Sequence, residues 1–81
     1  MLSPCVNFLN QVKLIDEADY GDFMRKANHY LNALKDSVRD PMVAACLDVM
    51  QEYIQFNPNW DIPSTLEHMQ LDMESLIELG L

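Results

Sequence analysis

The segment from Asp40 to Phe56, DPMVAACLDVMQEYIQF, constrains this chain more than any other stretch. Asp40 ahead of Pro41 is an N-cap followed by proline at the first helical position, and Asn57-Pro58 supplies a stop. The spacing therefore predicts a helix over about 41–56. At about 100° per residue the polar positions Asp48, Gln51, Glu52 and Gln55 fall on one narrow stripe, broadened only by Ala44 and Ala45. Everything else is apolar: Met42, Val43, Cys46, Leu47, Val49, Met50, Tyr53, Ile54 and Phe56. A helix with so wide an apolar surface needs neighbours on at least two sides, so the flanking segments are expected to fold around it as a central helix.

Those segments read as helices too. Ser3-Pro4 repeats the cap-then-proline signal and opens a helix running to Leu14, with Val6, Leu9, Val12 and Cys5 turned inward. Asp16 and Asp19 compete as N-caps of the next one, which carries the cleanest period in the chain: Tyr20, Phe23, Met24, Ala27, Tyr30, Leu31 and Leu34. Its short polar link to Asp40 predicts an antiparallel αα-hairpin of about 19–36 and 41–56. After the dense prolines and asparagines of FNPNWDIPS, Ser64 with Glu67 reads as a capping box opening a last helix. That helix carries Leu66, Met69, Met73, Leu76 and Ile77 on its apolar stripe and ends at Gly80. No strand-like alternation and no repeat intervenes. The expected fold is all-α: one domain over residues 1–81, a small four-helix bundle-like unit with a central hairpin and flanking N- and C-terminal helices.

Composition narrows the function by exclusion. With 81 residues the core is marginal without a partner or a second copy. Apolar runs are too short for a membrane span, and the N-terminal stretch lacks the basic and apolar regions of an export signal, so a cytoplasmic location is expected. Cys5 and Cys46 both occupy apolar helical positions and read as buried, reduced thiols. Residues 1–39 hold five acids and five bases, whereas residues 40–81 hold eight acids and neither Lys nor Arg. Such a surface repels nucleic acid and anionic lipid and attracts a basic protein.

Chemistry is sparse. His29 lies beside Arg25 and Lys26, where positive charge disfavours a metal; His68 and Asp72 are one turn apart and read as a surface hydrogen bond. A calcium loop from Asp16 fails because its third, fifth and twelfth positions are Ala18, Tyr20 and Ala27. With only Gly21 and Gly80, no glycine-rich phosphate cradle forms, and neither cysteine has an activating neighbour. The expectation is a protein that is not an enzyme and needs no cofactor or metal. In size, acidity and helical content the chain resembles acyl and peptidyl carrier proteins. Asp36-Ser37-Val38 is similar to their phosphopantetheine triplet, and Asp61-Ile62-Pro63 to a segment they often carry. The resemblance implies modification at Ser37; the chain departs from it in lacking the preceding glycine and in having Val38 for leucine.

The leading expectation is a small acidic protein-interaction module, a regulator, inhibitor, adaptor or secretion-type chaperone. Its partner would be a protein with a basic surface or a second copy in a homodimer. Its contact residues are expected to be Trp60, Leu71, Met73, Glu74, Ile77, Glu78 and Leu79. Leu71 and Leu79 fall off the last helix's apolar stripe, Ile77 lies outside the 3-4-3 seam of Leu66, Met69, Met73 and Leu76, and Glu74 and Glu78 meet the negative end of the helix dipole without a cation. The methionines Met24, Met42, Met50, Met69 and Met73 all lie on apolar stripes, where repacking is easy. The alternative is an acidic mimic of nucleic acid that blocks a DNA- or RNA-binding protein. Trp60, alone in its proline-flanked loop, is expected to fold back as a plug over the bundle end.

Overall fold

In a computed structural model that describes residues 3–56 and 60–80, the chain forms four helices and, among those residues, no strand. They are α1 (Pro4–Lys13), α2 (Tyr20–Ser37), α3 (Pro41–Gln55) and α4 (Ile62–Glu78). The stop signal at Asn57-Pro58 lies outside the described residues.

Each helix starts where a side chain can satisfy the unpaired amides of its first turn. Ser3 accepts from the Val6 amide, Asp19 from that of Asp22, Asp40 from that of Met42, and Asp61 from that of Ser64. Asp19 thus wins over Asp16. The fourth cap corrects the expected capping box: α4 begins two residues before Ser64, with Asp61 as the N-cap and Pro63 inside the first turn. The Asp61 carboxylate, accepting from the Ser64 amide at the positive end of the helix, outcompetes a serine hydroxyl one turn later, and that bond holds the Asp61 carboxyl below its ordinary value. At the other end Gly80 takes φ +92° and donates to the Ile77 carbonyl, a left-handed closure that a residue with a Cβ adopts only with strain.

The helices close a ring, α1 on α2, α2 on α3, α3 on α4 and α4 back on α1. No helix is central. α3 has the neighbours on two sides that its apolar surface called for, α2 and α4, but as one wall of four it keeps an outer face in water. The short helix α1 gives Cys5, Phe8, Leu9 and Val12 to the core. Phe8 was not expected there, and Val6, expected inward, is only half-buried. Against them pack Phe23, Ala27 and Leu31 of α2, Leu47 and Ile54 of α3, and Met69 and Met73 of α4. Thr65 is the one buried polar side chain among the described residues. It donates to the Asp61 carbonyl at 2.9 Å and faces the Tyr20 hydroxyl at 3.2 Å, which ties α2 to the start of α4.

Candidate functional site

The rotation of α3 about its own axis decides which residues this protein shows to solvent. Val43, Leu47, Met50 and Ile54, spaced 4-3-4, point into the core. The polar stripe of α3 does not simply face water. Gln51 is half-buried against α2, donating to Asn28 and Asn32 and accepting from Lys35 at 2.9 Å, and Lys35 also pairs with Asp48. These bonds pin the antiparallel α2–α3 register through polar groups on both sides of the seam. The consequence lies on the opposite flank. A second stripe, Met42, Cys46, Val49, Tyr53 and Phe56, also spaced 4-3-4-3, is left exposed, with Met42 at 77%, Val49 at 61% and Phe56 at 72%.

The middle of this stripe, Cys46, Val49 and Tyr53, forms one bank of an open groove of about 390 Å³ between α3 and α4. Ala45, Cys46, Val49 and Tyr53 line it from α3; Asp72, Ser75 and Leu76 line it from α4, and Met50 and Met73 reach its floor. Aromatic side chains cluster at its Tyr53 wall. Trp60 stacks on His68 with ring centres 4.1 Å apart and meets Tyr53 edge-on at 5.5 Å, so the expected fold-back of Trp60 is seen, against α3 and α4. The expected His68–Asp72 hydrogen bond is replaced by a bridge: the Tyr53 hydroxyl donates to Asp72 at 2.7 Å and lies 3.5 Å from His68 Nδ1. Burial, then the bond to Asp72 and its charge, push the Tyr53 phenol up to about 12.

The outer ridge of α4, opposite its buried face, lies outside this groove. Glu67, Leu71, Glu74 and Glu78 repeat with the same 4-3-4 spacing and are all exposed, Leu71 at 55%. Among the described residues the ion pairs are Arg25–Asp22, Lys26–Glu17 and Lys35–Asp48, so no cation offsets this ridge or the α4 C-terminus. Leu79, the C-cap, is exposed at 76%. Of the seven residues expected to meet a partner, then, Leu71, Glu74, Glu78 and Leu79 are on the surface. Trp60 is half-buried in the aromatic cluster, and Ile77 packs half-buried on the core. Met73 is corrected outright, being fully buried. The sequence reading missed the exposed α3 stripe because five apolar residues on a doubly apolar helix give no sign of which stripe is the inner one.

Two further corrections concern single residues. Cys46, expected to be buried, is exposed in the groove, whereas Cys5 is buried and its thiol is pushed up by that burial. Met42, on the α3 surface expected to be covered by neighbouring helices, is in water, while Met24, Met50, Met69 and Met73 are buried. Ser37 is the last residue of α2 and donates its hydroxyl to the Leu34 carbonyl at 2.8 Å, unlike a carrier-protein serine at the start of a helix.

A wider cleft of about 540 Å³ between α1 and α2 holds Arg25, Lys26, His29 and Tyr30. Its cations are already engaged, Arg25 with Asp22 at 2.8 Å and Lys26 with Glu17 at 2.6 Å. Glu17 holds Lys26 above its ordinary value through that bond and its charge. Exposed His29 lies edge-on to Tyr30 with ring centres 5.6 Å apart. Among the described residues no three His, Cys, Asp or Glu side chains gather to hold a metal, and no helix is long and apolar enough to cross a membrane. Comparison with known proteins gave no match to a family model, to a curated protein or to a solved structure.

Proposed function

We propose that this protein is a small interaction module of the regulator, inhibitor, adaptor or secretion-type chaperone kind, working by presenting a helix face to another protein and not by catalysis. One observation carries the reading: α3 places Gln51 and Asp48 in intramolecular bonds while leaving Met42, Val49 and Phe56 in water. A helix shaped only by its own fold gains by the opposite arrangement, since each large apolar side chain left wet forgoes roughly 1.5 to 3 kcal/mol of burial.

The nucleic-acid-mimic reading has the acidic ridge of α4 in its favour, but phosphate-like binding has no use for the apolar face of α3. Capture experiments from the native cell separate the two. The wild-type protein and a Val49→Glu, Phe56→Glu double variant would each be used as bait at low and at high salt. Partners held in high salt by the wild type and lost by the variant are the expected result. An identical set of partners on both baits, released by salt alone, overturns the apolar-face reading in favour of the mimic.

A further inference from the structure

We infer that two copies of this chain pair through the exposed stripe of α3, the two helices lying antiparallel about a two-fold axis at Val49. The inference rests on the interaction-module reading and names a second copy as the partner.

The order of residues along the stripe carries it. Met42 and Phe56 stand seven residues either side of Val49. An antiparallel helix turned about Val49 therefore sets Met42 of each copy against Phe56 of the other, and Val49 against Val49. On the flank that borders α4, Cys46 lies three residues before the axis and Tyr53 four after it, so each small Cys46 comes level with the large Tyr53 of the other copy. On the opposite flank Ala45 comes level with Glu52 in the same way. A two-fold interface needs one patch that complements itself, large side chains meeting small ones, and this stripe meets that need.

Charge leaves the face open to a copy. None of the five stripe residues is charged, Asp48 is held by Lys35, and Glu67, Glu74 and Glu78 belong to the outer ridge of α4. Glu52 alone borders the stripe, and its two images would stand about 9 Å apart along the helices, close to the screening length in about 0.1 M salt. Of the bases outside the ion pairs seen among the described residues, Lys13 serves the negative end of α1. Exposed Arg39, two residues ahead of α3, would lie toward the C-terminal end of the other α3, whose last turn holds no base.

Extent sets the strength. Met42, Val49, Tyr53 and Phe56, between 36% and 77% exposed, together offer roughly 400 Å² per copy, taking about 150 Å² or a little more for a whole large side chain. With the bordering Ala45, Cys46 and Glu52 a pair covers about 1,000 Å² in total, the lower end for a specific interface, so the dimer is reversible, with a dissociation constant on the order of micromolar.

The test is sedimentation of the full chain from about 1 to 500 μM, at low salt and at about 0.5 M salt. The two-copy mass is expected to appear as concentration rises, and at lower concentration in added salt, which screens the net charge of −8 on each copy. Val49→Glu, which sets two carboxylates on the axis, should weaken the dimer at least about tenfold, as should Phe56→Glu, with helical circular dichroism unchanged in both. Leu71→Glu, on the outer ridge of α4, should leave it as it is. Labelling of Cys46 should slow as the wild-type dimer forms and should keep its dilute rate in Val49→Glu. A monomer throughout the range in high salt overturns the inference, as does a dimer that Leu71→Glu dissociates and Val49→Glu does not. The interaction-module reading outlives that failure if the wild-type bait still holds, in high salt, a different protein that the Val49→Glu, Phe56→Glu bait loses. If the chain is monomeric and both baits capture the same proteins, both fall.

Discussion

Tyr53 and the two cysteines show how position within the ring sets the chemistry of single side chains. Tyr53 sits at the groove mouth, partly desolvated, with its proton shared toward Asp72. Because its folded-state value lies above that of a free phenol, the fold favours the neutral form. That stabilisation is complete below about pH 10 and is lost as pH rises toward about 12. Ultraviolet titration of the three tyrosines should show one ionising near about 12 and returning toward the ordinary range in Asp72→Asn. The thiols should separate equally clearly. A thiol reagent is expected to label Cys46 within the native state and Cys5 only on unfolding, and Cys46→Ser should remove the fast phase. Rapid labelling of both would mean that α1 opens far more readily than its burial implies.

Among the elements, α1 has the shortest span, yet Cys5, Phe8, Leu9 and Val12 of its 10 residues are buried. Ten residues form no stable helix alone in water, so α1 depends on its Ser3 cap and on docking. Ser3→Ala should cost about 1 kcal/mol in urea denaturation, close to a typical cap. Phe8→Ala should cost about 3 to 5 kcal/mol, because its side chain is 1% exposed within the core. In α3 the expected sensitivities are reversed along one helix. Leu47→Ala should destabilise by about 2 to 5 kcal/mol, whereas Val49→Glu, two residues on, should change stability by less than about 0.5 kcal/mol. A loss at Val49 as large as that at Leu47 would mean that the outer stripe serves the fold itself.

For the whole molecule, the ring leaves an acidic and apolar side, formed by α3 and α4, opposite a side whose bases are matched by acids. A domain of 81 residues holds only a few kcal/mol in reserve, so a partner that covers the groove should also raise its melting temperature. Trp60, which packs edge-on against Tyr53 of the groove wall, provides the readout. Its native emission should lie at shorter wavelength than that of the unfolded chain, and Trp60→Ala should lower stability by about 2 kcal/mol through loss of the His68 and Tyr53 contacts.

By itself the sequence determined the elements, because the forces that start and stop a helix are local. Ser3-Pro4, Asp19, Asp40-Pro41 and Gly80 each act within about one turn, and the period of Tyr20 to Leu34 identifies the inner face of α2. The α4 start was misread for a local reason as well, since Asp61 and Ser64 both carry cap chemistry and only the pairing of the Ser64 amide separates them. What only the tertiary structure decided is the rotation of each helix. Along α3 two apolar stripes of equal spacing compete for the core, and local sequence gives them the same claim. The choice was made from outside the helix, by Lys35, Asn28 and Asn32 of α2 bonding Gln51 and Asp48. That choice buried Leu47 and Ile54, turned Cys46 and Met42 into water, and left exposed on α3 the surface through which this protein is proposed to act.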